Sequence, residues 1–479
     1  MQGISRRIAD RWRRKGGYRE LLTIAIPLIA STSTWSIQHF IDRMFLTWHS
    51  PAAIAASMPA GMLSFTITCI FIGTASYAGT FIAQYYGAGQ YERCGHSLWQ
   101  GIYVGLIGGS IQILLIPFAG QIFNLIGHAQ EVREAEHTYF VILSFGAPFV
   151  IVSSAIASLF SGLGRTWPVL WVNVIAMMVN LFMDWALIFG NWGFPAMGIA
   201  GAGIATVLGF IAATAAYLFL ILRPGYAEKY ATIRGWRFEW TLFKRLIRFG
   251  VPSGVQFFID IAGFTVFVLL IGRLGTVSLA ATNIAFNIST LAFMPMIGLG
   301  IATSMLTGQR LGEQKPELAE RSAYSAFHLA FLYMGLIASL FMFFPDCFIA
   351  AFSHHSEPNS FIAIRTLTVT LLRFVALYCL FDAVGIIFAS AVKGAGDTRF
   401  VMTMMLVLSA VLLVIPSYLA IVHFSLGIYI AWTFATTYVV ILSIAFYLRF
   451  AGGKWKSMRV IEEVATVVPP TFPESPVTE

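Results

Sequence analysis

Residues 83–90 read AQYYGAGQ, and residues 308–315 read GQRLGEQK. Laid over one another they pair Gln84 with Gln309 and Gly87 with Gly312, an offset of 225. The same offset pairs Pro27, in AIPLIA, with Pro252, in GVPSGV. Farther along, SGLGRT at 161–166 pairs with KGAGDT at 393–398 at an offset of 232, so seven residues were inserted between the two points. Three pairs in order, two at one offset, mark an internal duplication. What the fold is then depends on what one copy contains.

Composition supplies that. Of 479 residues, 58% are hydrophobic and 11% charged, and mean hydropathy is +0.78. Soluble domains carry about 25% charged residues. So little polar material cannot cover a soluble surface, which leaves a polytopic membrane protein. A helix needs about 20 residues to cross the hydrocarbon. Apolar runs of that kind lie near 21–48, 54–83, 97–119, 138–160, 167–190 and 196–222, then 246–271, 278–307, 323–345, 361–392, 400–422 and 427–448. The polar stretch RPGYAEKYATIRGWRFEWTLFKR (223–245) separates the sixth run from the seventh. The expected organisation is a basic N-terminus (1–20), an N-lobe (21–222), a linker (223–245), a C-lobe (246–448) and a tail (449–479).

Charge tests the span count and sets the orientation. The first residues, MQGISRRIADRWRRKGGYRE, are strongly basic, and the apolar stretch behind them, Leu21 to Trp48, is too long for a cleaved signal segment. With the N-terminus inside, 25 of the 30 Lys and Arg residues fall on the cytoplasmic side; the others are Arg43, Arg133, Arg273, Arg365 and Arg373. A miscounted span would scramble this asymmetry from the error onward. The net charge of +8 is therefore a topology signal, with some attraction to anionic lipid, and calls for no nucleic-acid partner. The expected fold class is all-α, with twelve membrane helices in two six-helix lobes and both termini in the cytoplasm. Because both copies start on the same side, the repeat is parallel, about an axis along the membrane normal. The chain is expected in the cell membrane, inner or plasma, as a monomer. Cys69, Cys94, Cys347 and Cys379 show no spacing suited to zinc or a disulfide framework.

Eighteen of the 22 acidic residues fall in loops, span ends or tails, and four fall inside spans: Asp42, Asp184, Asp260 and Asp382. A charged group at a helix centre costs about 2.5–3.5 kcal/mol on insertion scales, so such acids mark ion pathways by default. Each takes a proton or binds a cation, and either event can drive a conformational change. Asp42 lies 21 residues after Leu21, and Asp184 lies 17 after Trp167. At 1.5 Å per residue both sit roughly 25–32 Å from the cytoplasmic side, against roughly 15–21 Å for Asp260 and Asp382. Each half thus has one pair at a shared depth. Asn180 precedes Asp184 by four residues, Gln38 precedes Asp42 by four, and Gln256 precedes Asp260 by four, each on the same helix face as its acid. Carboxylate, amide and hydroxyl oxygens suit a hard cation. The repeat does not copy the acids, since Asp42 aligns with Phe267 and Asp184 with Pro416. Two plainer readings stay open: Asp42 paired with Arg43 or a nearby His, and Asp382 paired with Arg373.

The repeat motifs, the span count and the acid positions together resemble the multidrug and toxic compound extrusion (MATE) family, most of all its NorM-like branch, over roughly Glu20 to Phe450. The resemblance implies antiport, with organic cations exported against inflow of Na+ or H+ and no cofactor. It implies an N-lobe cation or proton site at Asp42, Asn180, Asp184 and Thr206 (in GAGIATVLG), where Na+ is the candidate metal, and C-lobe acids at Asp260 and Asp382. Gln38 and Gln256 would support these groups. Two departures stand out: Asp260 occupies a position more often Glu, and RMFLTWHS replaces the Gly-containing stretch usual after the first-span Asp. The alternative is a lipid-linked oligosaccharide flippase of the same superfamily, which more often has fourteen spans and a more basic cavity. An enzyme is not expected, because HExxH, GxSxG and clustered His/Asp motifs are missing from the sequence. Aromatic content of 15% and 17 Met suit an adaptable, greasy cavity for flat cations, although most of these side chains simply fill the bundle or face lipid.

Overall fold

The computed structural model describes residues 12, 14–126, 128–350 and 358–462. Among these residues twelve helices are long and apolar enough to cross a membrane: α1 (Tyr18–His49), α2 (Pro51–Gly87), α3 (Arg93–Asn124), α4 (Gln130–Gly162), α5 (Trp167–Phe189), α6 (Ile199–Ile221), α7 (Trp240–Gly272), α8 (Thr276–Gly312), α9 (Pro316–Phe343), α10 (Phe361–Ala395), α11 (Thr398–His423) and α12 (Ile428–Ala451). Among the described residues no strand is present. Each expected apolar run coincides with one helix. The ends differ in a consistent way: α4 starts eight residues before its apolar run, and α2 and α8 continue through Gly87 and Gly312. A helix satisfies its backbone hydrogen bonds wherever it runs, so it continues past the apolar core that hydropathy detects. The repeated motifs therefore lie largely on helix ends, and Lys393, one residue past the apolar run at 361–392, belongs to α10.

In the first half, α4 packs against α2, α3 and α6, while α5 lies between α1 and α6. In the second half, α10 packs against α8, α9 and α12. α4 and α10 are the most enclosed spans, with 61% of the apolar window buried in each, so each forms the axis of its half. Pro27 and Pro252 recur inside α1 and α7. The halves meet through α1 against α8 and α2 against α7. Small residues permit this close approach. A Cβ on Gly73 would lie 2.7 Å from Gly254 Cα, and one on Gly298 would lie 2.7 Å from Ile29 N, two contacts related by the offset of the repeat.

The quoted motifs seal the face that carries the 223–239 linker. Gln84 Nε2 donates to the Gly394 carbonyl at 3.0 Å. Its repeat mate Gln309 donates through Nε2 to the Gly162 carbonyl at 2.7 Å. Gly162 and Gly394 are themselves repeat mates, so the two bonds cross the lobe boundary in opposite directions about a pseudo-twofold. A Cβ on Gly87 would overlap the Gln309 carbonyl oxygen, and one on Gly312 would overlap the Gln84 carbonyl oxygen. The Tyr77 hydroxyl adds a bond to the Lys393 carbonyl at 2.8 Å, and Arg310 of α8 pairs with Glu20 of α1.

The segment after α12 closes over the same face. Trp455 is fully buried and stacks on Phe450 with ring centroids 4.8 Å apart. Val460 N donates to Gln84 Oε1 at 2.9 Å, and the Tyr85 hydroxyl donates to Glu462 at 2.8 Å. Arg245 pairs with Glu462 as well. Partial burial works against the Glu462 charge, yet the Tyr85 hydroxyl and the Arg245 and Arg93 guanidinium groups hold its carboxyl below the usual glutamate range.

Gly87→Ala is expected to destabilise the protein by about 1–3 kcal/mol, the usual cost of overpacking, seen as a lowered thermal unfolding midpoint in detergent. Gly225→Ala, at a position with no heavy atom within 4 Å of a new Cβ, serves as control and should leave the midpoint unchanged.

Candidate functional site: two acid pairs at membrane depth

The N-lobe pair is set by the register of two parallel helices. Thr166 Oγ1, at the start of α5, donates to the Ile24 carbonyl of α1 at 2.9 Å. Two turns on, Asn173 Nδ2 donates to Ser31 Oγ at 2.5 Å. Both partners differ by 142 residues, and so do Asp42 and Asp184. Eleven residues make close to three full turns, which returns each acid to the face that carries Ser31 or Asn173. The two carboxyl groups accordingly lie side by side. Leu46 and Ile188, again in the same register, join the apolar cluster beyond them.

Asp42 is 8% exposed, and Asn180 and Asp184 are fully buried. Among the described residues Asp42 Oδ1, Asn180 Oδ1 and both Asp184 oxygens have no hydrogen-bond partner, and neither has Asn180 Nδ2. Buried polar atoms are rarely left so. Four inward, unpartnered oxygens fit one small cation, or a proton on a carboxyl, and two adjacent carboxylates repel until one of these joins them. Gly209 of α6 admits α5 here, because a Cβ on it would sit 3.2 Å from Asn180 Cβ. Thr206, one turn earlier on α6, is buried and donates to the Ala202 carbonyl at 3.0 Å. Gln38 is half-buried one turn before Asp42 and makes no hydrogen bond to either acid. Arg43 lies within electrostatic reach of Asp42 but is exposed and forms no ion pair with it.

One neighbour escaped the sequence reading. Tyr139 of α4 lies beside Thr206 and within electrostatic reach of both N-lobe acids. It sits at the edge of its apolar run, where an aromatic hydroxyl reads as an interface anchor. The covered Glu136, one turn before it, escaped too: it is fully buried and bonded to His128 Nδ1 at 2.7 Å.

The C-lobe pair has a different setting. Asp260 on α7 and Asp382 on α10 are half-buried and within electrostatic reach of one another, so Asp382 faces Asp260 rather than Arg373. Gly263 and Gly385, each three residues after an acid, let Ser409 of α11 and Ser443 of α12 approach, at 2.7 and 2.6 Å from a built Cβ. Gln256 does not support Asp260 directly; its Oε1 accepts from Lys393 Nζ at 2.7 Å, and Lys393 is in turn within electrostatic reach of Asp260. The spacing of Asp382 and Lys393, eleven residues and hence one face of α10, is the signal that could have located this lysine.

At the C-lobe positions that repeat the N-lobe acids, the chemistry is apolar. Phe267, aligned with Asp42, is fully buried between Phe286 at 6.2 Å and Trp432 at 6.0 Å between ring centroids. Pro416, aligned with Asp184, lies where α11 widens into π-type turns on either side, at Ser409–Val414 and Leu419–His423. Proline lacks an N–H and crowds the preceding turn, and a wider turn relieves both.

The register is checked by cross-linking. After the native cysteines are replaced, Ser31→Cys with Asn173→Cys should form a disulfide under mild oxidant. Ser31→Cys with Asn180→Cys, about 10 Å farther along α5, should not.

The sequence pattern of the MatE family matches residues 27–186 and 252–419, one stretch in each half. A relative from Thermotoga maritima, "Probable multidrug resistance protein NorM", is 24% identical, covering 92% of this chain and 94% of its own. A protein of the same name from Pseudomonas aeruginosa is 28% identical over 80% of this chain and 78% of its own. "Multidrug resistance protein MdtK" of Edwardsiella ictaluri is 27% identical over 80% and 82%. Among solved structures, an outward-facing multidrug resistance MATE transporter of the MOP superfamily overlays with a TM-score of 0.83 at 19% identity, covering 92% of this chain and 96% of that one. A MOP-superfamily transporter from Pyrococcus furiosus, described as having a binding pocket of reverse polarity, overlays at 0.84 with 20% identity, covering 93% and 98%. These structures share the fold, and nothing in the comparisons supports the flippase alternative. With a family match over both halves, twelve apolar helices and the duplicated seal, this chain belongs to the MatE family of multi-pass membrane transporters, on its NorM-like branch.

Proposed function

We propose that the protein is a secondary multidrug exporter that moves organic cations out of the cell in antiport with Na+ or H+. The observation that carries this reading is the N-lobe acid pair: two carboxyls side by side at membrane depth, with four unpartnered buried oxygens among Asp42, Asn180 and Asp184. A proton or a single hard cation satisfies that arrangement, and Thr206 supplies a further oxygen. The C-lobe acids Asp260 and Asp382 form a second cation or proton site. The names of the NorM and MdtK relatives support drugs as the solute.

Alternating access follows from α1. The helix carries Asp42 near one end, while Ile29 packs against Gly298 and Glu20 pairs with Arg310 toward the other. Drawing the acids together around a cation moves one helix that touches both the site and the lobe boundary. In this reading both termini and the linker are cytoplasmic, the Gln84 and Gln309 bonds close the cytoplasmic side, and one chain, holding both lobes, is the transport unit.

Purified protein in liposomes tests the proposal. A fluorescent organic cation should move against an imposed Na+ or H+ gradient and stay put without one. Asp184→Asn should lower gradient-driven transport at least about tenfold, the factor carried by 1.4 kcal/mol, while the folded fraction is unchanged by size-exclusion chromatography. Undiminished coupled transport in this variant would remove Asp184 from the mechanism.

A further inference from the structure

Lys393 joins two systems that the duplication otherwise keeps apart. Its ammonium reaches into the C-lobe, donating to Gln256 Oε1 at 2.7 Å, and Gln256 stands one turn from Asp260 on α7. Its backbone lies on the lobe boundary. The Lys393 carbonyl accepts from the Tyr77 hydroxyl at 2.8 Å, and the next carbonyl, of Gly394, accepts from Gln84 Nε2 at 3.0 Å. The N-lobe has no counterpart: the repeat pairs Lys393 with Ser161, whose hydroxyl turns back to the Ala157 carbonyl at 3.1 Å. Around the C-lobe acid pair two carboxyls lie near one ammonium, whereas among the described residues no basic group is bonded to the N-lobe pair.

An ammonium near a carboxylate at membrane depth has the charge of the solute this protein is proposed to carry. Its stem is flexible, with four methylenes and three rotatable N–H donors. A solute cation arriving at Asp260 repels the Lys393 ammonium and offers the carboxylate an alternative partner. We propose that Lys393 is a tethered competitor for the C-lobe acids: a positioning residue whose ammonium holds the Gln256–Asp260 end of the site until an organic monocation displaces it. Because the same residue anchors Tyr77 and adjoins the Gln84 bond, displacement also loosens the seal between the lobes. The inference rests on the exporter reading and adds to it the residue that links C-lobe occupancy to that seal.

The test uses the full chain in lipid nanodiscs with ethidium, a planar aromatic monocation, followed by fluorescence polarisation. Lys393→Gln should bind ethidium about tenfold more tightly than the unaltered protein, a difference of about 1.4 kcal/mol. Lys393→Arg should restore the original affinity. The gain should vanish when Asp260→Asn is added to Lys393→Gln. A purely structural lysine would instead lower stability and leave affinity unchanged or weaker. The unaltered protein provides a second reading that survives a misfolding variant: acylation of Lys393 by acetic anhydride, quantified by peptide mass spectrometry, should rise on saturation with ethidium. Unchanged acylation at saturation, or a gain in Lys393→Gln that persists without Asp260, overturns the proposal. If the unaltered protein binds no ethidium, the exporter reading itself fails and this inference falls with it; binding with an inert Lys393 rejects the inference alone.

Discussion

The structure depends on the register between α1 and α5. Two polar contacts, Thr166 with the Ile24 carbonyl and Asn173 with Ser31, fix both helices at a spacing of 142 residues. Everything at the N-lobe site follows from that spacing and from the pitch of the α-helix. Without a hydrophobic drive between helices in lipid, such bonds and close packing decide which faces meet. A slip of one turn would part the two acids and set one of them against an apolar side chain, Leu46 or Ile188, at the cost of burying a charge there. The register thus serves both the fold and the candidate site: it sets two buried carboxyls side by side, and adjacent carboxylates repel until a proton or cation joins them.

Duplication supplied the scaffold twice, and the halves then diverged in chemistry while keeping the contacts that join them. Gln84 and Gln309 make twofold-related bonds, Gly87 and Gly312 leave twofold-related gaps, and α4 and α10 are equally enclosed. The acids do not obey this symmetry. Phe267 and its aromatic neighbours fill the place of Asp42, and the C-lobe carries its own acids nearer the middle of α7 and α10, with Lys393 within electrostatic reach of Asp260. Each seal motif bonds to the other half, so neither copy can lose it alone.

Much of this was legible in the sequence. The twelve apolar runs, the repeat and the isolated acids are properties of local composition, which hydropathy and offsets report directly. The pairing of Asp42 with Asp184 was foreshadowed by depth, since equal distances from one membrane face make contact feasible. What the sequence did not show were features settled by side-chain reach or by helix ends. Lys393 lies just past the apolar run at 361–392, in a motif that contains glycines, yet α10 continues through it. Tyr139 and Glu136 sit at a span edge, where composition cannot tell a side chain turned inward from one facing water. Gln256 was expected to serve Asp260 from one turn away and is instead engaged by the lysine. In each case the local helical face was readable and the partner from another helix was not.

The central claim is that Asp42 and Asp184 act as one unit that shares a single cation or proton. A double-mutant cycle on gradient-driven transport, with Asp42→Asn, Asp184→Asn and both together, addresses it directly. The account predicts that the double variant is no more impaired than either single one, because losing one carboxyl already dissolves the shared site. Losses that multiply, each acid contributing independently of the other, would contradict it.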